Sequence, residues 1–191
     1  LSLRRGLRTL VQHVSSPLSD IAVSMMKRSQ NLYAESFLYR IGSVEGRGAR
    51  AGQEVVSNVL AGWGVRRSGV AVADGSGLSR YNYLTASALV DVLDVMYRDQ
   101  HWQEHFIKTL PIAGRDGTLR RRLLGTAAEG VVRAKTGSMS RVRALSGYVK
   151  TADGEQLAFA MLANNFSVNS SAVNATIDDV VTLLASYSRH E

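Results

Sequence analysis

The sequence predicts an α+β fold in which helices come first, a small antiparallel sheet follows and a helix closes the chain. Three observations carry this. From about residue 17 to residue 124 the apolar residues recur with helical spacing, whereas from 131 to 164 they alternate with a period of two. Between two such alternating runs, "VRALSGYV" and "QLAFAML", stands the turn "TADG", so the pair reads as a hairpin. Helices and strands are thus segregated, which argues against βαβ units.

In order, Ser16 is placed to cap a helix whose first residue is Pro17, and that helix runs towards Lys27. A second amphipathic stretch runs from Leu32 to about Ile41 and is expected to stop at Gly42. The Gly- and Arg-rich "GSVEGRGARAG" reads as a connection, and Gln53 to Leu60 as a third helix. "GVAVADGSGLSRYN" reads as a short strand entering a tight polar loop. Thr85 caps the helical pattern "TASALVDVLDVMY". Residues 101–124 read as short helices broken by "PIAGRDG", with Asp116 or Thr118 as a cap. "GVVRAKTG", "VRALSGYVK" and "QLAFAMLAN" are strands, and "ATIDDVVTLLASY" is the closing helix.

The chain has 191 residues, enough for one domain with a sizeable core. With 45% hydrophobic and 20% charged residues it is ordinary for a globular protein, which argues against disorder. No apolar run reaches the roughly 18 residues a spanning helix needs. Residues 1–15, with Arg4, Arg5 and Arg8 among the apolar positions, lack a signal-peptide core and read as a leading helix or linker. The chain has no initiator Met and is expected to be a processed or partial product. Cysteine is absent, so disulfides and thiolate metal sites are excluded. The net charge of +7 would suit nucleic acid, an anionic membrane or an anionic wall polymer, but the cations are dispersed apart from Arg120-Arg121-Arg122.

Three polar clusters interrupt these elements: Ser29-Gln30-Asn31 between two helical stretches, Asp74-Gly75-Ser76-Gly77-Leu78-Ser79-Arg80 in a loop, and Lys135-Thr136-Gly137-Ser138 on the first strand of the sheet. Each alone also fits a helix junction, a turn or a strand end. Their order is more informative. Ser-x-Asn followed about a hundred residues later by Lys-Thr-Gly resembles the serine penicillin-binding and β-lactamase superfamily, whose motifs are Ser-x-x-Lys, Ser-x-Asn and Lys-Thr-Gly. The flanks "SPLSDIAVSMMKRSQNLYAE", "DGSGLSRYN", "GRDGTLRRRL" and "AKTGSMSRVRALSGYV" resemble one branch, the D-alanyl-D-alanine carboxypeptidase/endopeptidase family of class C penicillin-binding proteins. The resemblance covers roughly residues 16–185.

That resemblance implies an acyl-transfer site, which needs a nucleophile, a base, oxyanion donors and a substrate clamp. It implies that Ser29 relays a proton to the leaving amine and that Asn31 holds the substrate amide. Lys135 would add positive potential beside Ser29, and Thr136 would bind the terminal carboxylate of a D-Ala-D-Ala peptide or a β-lactam. Gly137 would let the strand approach the ligand, and the Ser138 backbone N–H would be an oxyanion donor. Asp74, Ser76 and Arg80 would support the site. The family usually has Asp between Ser and Asn, and Thr after Lys-Thr-Gly; here Gln30 and Ser138 stand there. No cofactor or metal is implied. The location implied is the periplasm or another extracytoplasmic part of the cell envelope.

The family's Ser-x-x-Lys nucleophile lies far upstream of Ser-x-Asn. Ser24-Met25-Met26-Lys27 fits the pattern literally, but it lies only five residues from Ser29 on one helical segment. Two motifs that must converge on one carbonyl cannot share that segment, so Ser24 is rejected as nucleophile and Lys27 reads as a solvated or supporting charge. Residues 1–191 would then be the C-terminal part of one penicillin-binding catalytic domain. They would lack the N-terminal strands and nucleophile helix, leave a bare sheet edge, and need a complementary N-terminal segment carrying Ser-x-x-Lys.

Other readings stay open at this point. His101-Trp102-Gln103-Glu104-His105 matches the inverted zincin pattern and would place two His on one helical face. A non-catalytic peptidoglycan- or penicillin-binding module would use the same clusters. Nucleic-acid binding rests on charge alone, and a β-lactamase would need a water-activating group that no residue supplies. Sequons begin at Asn165, Asn169 and Asn174 and read as coincidental.

Overall fold

The computed structural model describes residues 8, 10–44 and 48–189. Six α-helices and five strands are described: α1 (Leu18–Arg28), α2 (Asn31–Val44), α3 (Gly48–Gly62), β1 (Val70–Ala71), β2 (Tyr83–Leu84), α4 (Ala86–Arg98), α5 (Gln103–Thr109), β3 (Val132–Met139), β4 (Val142–Lys150), β5 (Gln156–Asn164) and α6 (Ser170–Ser186), with short 3-10 turns at Arg67–Gly69 and Gly117–Leu119. The helices-then-sheet-then-helix order is as the sequence predicts. The expected hairpin is also present: β4 and β5 pair antiparallel from Val142↔Asn164 to Lys150↔Gln156. β3 pairs with β4 from Val132↔Val149 to Met139↔Val142, giving the sheet order β3-β4-β5.

The period of two sorts side chains onto the two sheet faces. Val132 and Ala134 of β3, Leu145 and Val149 of β4 and Phe159 of β5 are buried together with Ile177, Val181 and Ala185 of α6. On the other face Tyr148 of β4 is 2% exposed and packs with Leu93 of α4 and Leu110, flanked by Met26 of α1 and Phe106 of α5. Its hydroxyl donates to the Leu93 carbonyl oxygen at 2.6 Å, which ties α4 to the sheet. Burial pushes the Tyr148 phenol well above its ordinary pKa. Helices therefore cover both faces, and α1 reaches the sheet on the side away from α6.

Several local expectations need correction. Pro17, not Ser16, occupies the cap position before α1, and its carbonyl accepts the Asp20 and Ile21 amides. Gly42 does not stop α2, which continues to Val44. A Cβ at Gly42 would meet the Gly48 carbonyl oxygen at 1.8 Å and the Gly52 nitrogen at 2.5 Å. Gly42 is thus where α2 and α3 cross closely, and α3 begins within the stretch read as a connection. Residues 45–47 of that connection lie outside the described residues. β2 was not anticipated; it pairs antiparallel with β1 through Val70↔Leu84 and Ala71↔Tyr83. Of the helix or linker expected over residues 1–15, residues 8 and 10–15 form no helix and are exposed, while residues 1–7 and 9 lie outside the described residues.

The edge of β3 is partly covered. Ala113 N–H donates to the Val132 carbonyl oxygen, Ala134 N–H donates to the Pro111 carbonyl oxygen, and Ile112 bridges Arg133. Beyond Ala134 no described strand pairs with that side of β3, so its Lys135–Met139 half is the open half. No described helix is long and apolar enough to cross a membrane.

Candidate active site

The helix break at Ser29-Gln30-Asn31 is a defined turn. α1 ends at Ser29, which adopts the left-handed conformation with φ 55° and ψ 54°. The Ser29 and Gln30 amides both donate to the Met25 carbonyl oxygen, which closes the helix end in the 6→1 manner of a Schellman motif. α2 then restarts at Asn31, with Gln30 accepting the Tyr33 and Ala34 amides. A left-handed serine costs free energy that glycine there would not. The turn therefore sets Ser29 at the tip of one helix and Asn31 at the start of the next.

β3 brings Lys135 to that tip. Its ammonium donates to Ser29 Oγ at 2.9 Å, across 106 residues of sequence, and to the Thr136 carbonyl oxygen at 2.9 Å. Burial pulls the Lys135 pKa below the ordinary lysine value. Thr136 Oγ1 donates to Thr118 Oγ1 at 2.8 Å. Ser138 is exposed further along β3, in register with Arg143. A Cβ at Gly137 would meet the Ala144 Cβ on β4 at 3.1 Å, so the close approach here includes the neighbouring strand. Asn31 is exposed at the first position of α2, and its side chain makes no hydrogen bond among the described residues.

The Asp74–Arg80 loop packs on α2 about one turn after Asn31, at Ala34 and Glu35. Ser76 N–H donates to Glu35 Oε1 at 3.1 Å. Asp74 organises the loop by accepting from Gly77 N–H at 2.7 Å, Ser79 N–H at 2.6 Å and Asn82 Nδ2 at 2.8 Å. Burial raises its pKa, but the hydrogen bonds from Asn82, Gly77, Ser79 and Ser76 outweigh this and hold the carboxyl below its ordinary value. Arg80 is exposed and enters no ion pair among the described residues.

Of the two expectations for Lys27, a solvated or a supporting charge, the solvated one fails: its side chain is 19% exposed and its ammonium lies 2.5 Å from Asp116 Oδ2. Asp116 does not cap a helix with its side chain; Oδ1 accepts the Ile112 amide at 2.9 Å instead. Thr118 likewise turns to Thr136 rather than to a helix end. The flank "GRDGTL" marked this loop as notable, but no spacing in the sequence joins residue 27 to 116 or 118 to 136.

The zinc reading loses its geometry. α5 begins at Gln103, so His101 precedes the helix and shares no helical face with His105. The Trp102 ring lies against both imidazoles, at centroid distances of 4.5 and 6.2 Å. No group of three His, Cys, Asp or Glu suited to a metal occurs among the described residues. Of the arginine cluster, Arg122 is engaged by Asp178 of α6 at 2.6 Å.

Comparison with known proteins agrees with this architecture. The profile of the D-Ala-D-Ala carboxypeptidase 3 (S13) family matches residues 3–187. A D-alanyl-D-alanine carboxypeptidase of an Actinomadura species is 44% identical over 190 residues, 95% of this chain and 34% of the relative. The D-alanyl-D-alanine carboxypeptidase DacB of Haemophilus influenzae is 36% identical over 163 residues, 83% of this chain and 34% of the relative. The crystal structure of penicillin-binding protein 4 from Haemophilus influenzae superposes with a TM-score of 0.84 at 32% identity, covering 92% of this chain and 41% of that one. An extended-spectrum β-lactamase matches in fold at 20% identity, with a TM-score of 0.65. The chain thus spans about a third of the length of the curated relatives, 34% for both carboxypeptidases. With the family profile covering nearly all of it, the chain belongs to the D-Ala-D-Ala carboxypeptidase 3 (S13) family.

Proposed function

We propose that this chain supplies the Ser-x-Asn and Lys-Thr-Gly half of a serine D-Ala-D-Ala carboxypeptidase/endopeptidase that acts on peptidoglycan stem peptides through an acyl-enzyme. The observation that carries the reading is the 2.9 Å hydrogen bond from Lys135 to Ser29, which joins two motifs at the open half of β3. A cation beside a serine hydroxyl, at the unpaired half of a strand, suits an anionic peptide substrate.

In this reading a complementary segment brings the nucleophilic serine and lysine of Ser-x-x-Lys. As the serine O–H gives its proton to that lysine, its oxygen attacks the carbonyl of the penultimate D-Ala, and the tetrahedral oxyanion takes a hydrogen bond from the Ser138 N–H. As the C–N bond breaks, the electron pair stays on the nitrogen of the departing D-Ala, and Ser29 passes it a proton drawn from the nucleophile's lysine. Water then cleaves the acyl-enzyme ester. Asn31 holds the substrate amide, Thr136 and Lys135 receive the terminal carboxylate, and Gly137 keeps the strand close. Asp74 and Ser76 hold the loop against α2 near Asn31, and Arg80 is exposed on it. The envelope outside the cytoplasm is where such a substrate lies. A β-lactam would acylate the same serine; the Haemophilus influenzae penicillin-binding protein 4 has been solved with one bound.

Ser24 and Lys27 take no part as nucleophile and base, because the Lys27 ammonium is already committed to Asp116. Treating this chain alone with a labelled penicillin should leave no covalent adduct, while the polypeptide that also carries the upstream Ser-x-x-Lys should be labelled there and release D-Ala. Labelling of Ser24 in the isolated chain would overturn the assignment of roles. Penicillin binding without acylation or D-Ala release by the longer polypeptide would favour the non-catalytic binding module.

A further inference from the structure

Among the described ion pairs, Lys27–Asp116 and Arg122–Asp178 are the two shielded ones, with side chains 19% and 37%, and 20% and 24%, exposed. The second fastens α6 to the segment after residue 119, on the far face of the sheet. The first lies at the end of α1, two residues before Ser29. A shielded ion pair loses hydration that its attraction only roughly restores, so it is weak evidence for stability; its best-attested use is to fix register between elements.

The contacts around Lys27–Asp116 close a ring through the site. Lys27 reaches Asp116 Oδ2 at 2.5 Å, and Asp116 Oδ1 accepts the Ile112 amide at 2.9 Å. Ile112 bridges Arg133 of β3, and the adjacent Pro111 carbonyl oxygen accepts the Ala134 amide at 2.9 Å. Next on the strand is Lys135, whose ammonium returns to Ser29 Oγ at 2.9 Å. Gly117 lets the loop touch the helix: its φ is +56°, and a Cβ there would stand 2.7 Å from the Lys27 carbonyl oxygen. The next residue, Thr118, accepts from Thr136. One loop, residues 111–118, is thus wedged between the helix end that carries Ser29 and the strand that carries Lys135 and Thr136.

We infer that Lys27 and Asp116 form a positioning pair that fixes the end of α1 against β3, so that the Ser29 hydroxyl stands where it passes its proton to the departing nitrogen. Neither residue touches the substrate. The inference rests on the proposed role of Ser29 as proton relay, and it names what holds that relay in place. Misplacing a reacting group by about 1 Å costs on the order of 100-fold in rate. The loss should appear only where the proton matters. A D-alanine leaving group departs as an amine and needs the proton, whereas a thiolate departs without one.

The test uses the polypeptide that carries both this chain and the Ser-x-x-Lys segment, with two substrates of the same acyl group. One ends in D-alanine through an amide, the other in a thiol acid through a thioester. Lys27→Met and Asp116→Asn should each lower kcat for the amide about 10- to 100-fold, with KM little changed and the thioester rate lowered less than about threefold. Lys27→Arg, which keeps the charge, should recover most of the amide rate. Asp116→Asn keeps its size and an acceptor for the Ile112 amide, so it provides the reading if Lys27→Met fails to fold. Equal losses on both substrates, or none on either, would overturn the inference. Ser29→Ala separates the two layers of the argument. If it slows both substrates alike, the relay role fails; if it spares the thioester while the Lys27 and Asp116 variants do not, only the positioning role fails.

Discussion

Replacing Lys135 with methionine keeps the length of the side chain and removes its charge. Two interactions go with it. The hydrogen bond to Ser29 Oγ at 2.9 Å is charge-assisted, and such bonds contribute about 1.5–3 kcal/mol. The attraction for an anionic substrate a few ångströms away, at the effective dielectric of a partly exposed site, adds about 2–4 kcal/mol before screening. The lower ends together give ~3.5 kcal/mol, which is on the order of a few hundredfold in kcat/KM. The assay is the second-order rate of acylation by a labelled penicillin, alongside D-Ala release from a peptide, in the polypeptide that also supplies Ser-x-x-Lys. A loss of less than about fivefold, with the β-strand circular dichroism unchanged, would refute the electrostatic role and leave Lys135 as an ordinary strand residue. The pH profile gives a second check. The cation is the active form, and burial lowers its pKa, so neutral lysine forms at lower pH than in a free side chain. Activity should therefore fall as pH rises through a value below the ordinary 10.5, and Lys135→Arg, which does not titrate there, should move that alkaline limb upward.

Two further outcomes follow from single hydrogen bonds. Thr118→Val removes the acceptor at 2.8 Å from Thr136 Oγ1 and should raise KM for a free-carboxylate peptide about 2- to 10-fold, with no effect on a C-terminal amide analogue; steady-state kinetics on the two peptides checks it. Tyr148→Phe deletes the 2.6 Å bond to the Leu93 carbonyl oxygen in a buried setting. It should cost about 1 kcal/mol and lower the melting temperature by about 2–4 °C, read by calorimetry, without changing acylation of the longer polypeptide.

The parts of the fold legible in the sequence are those fixed by local periodicity and turn chemistry. The β4–β5 hairpin could be read from "TADG" between alternating runs, and α4 from Thr85, whose side chain accepts the Ala88 amide as expected. Glycines misled where their reason was tertiary. Gly42 has the sequence look of a helix stop, but it serves a helix crossing whose partner residues, Gly48 and Gly52, lie six and ten positions on. The same limit applies in the site. Ser29, Lys135 and Thr136 could be singled out because they sit in short motifs. Lys27, Asp116 and Thr118 could not be assigned to the site, because their partners lie 89, 89 and 18 residues away and nothing local in the sequence records the pairing.

Ser29 shows why a helix break and a functional site are the same feature here. A helix end in the left-handed conformation ordinarily takes glycine, which bears no steric penalty there. Serine in that place adds a hydroxyl at the one point where the chain leaves α1 before α2 begins. On a regular helical turn the side chain at this position would lean back over the preceding turn of α1. In the left-handed turn its Oγ instead meets the Lys135 ammonium at the unpaired half of β3. The cost of the conformation is of the same order as the hydrogen bond it allows, and a strained non-glycine residue that survives in such a turn points to a role for its side chain. The Lys27–Asp116 pair one half-turn earlier then has a physical purpose. A hydroxyl aimed by a turn is only as well placed as the helix end that bears it, and that end is held to β3 through the loop at residues 111–118.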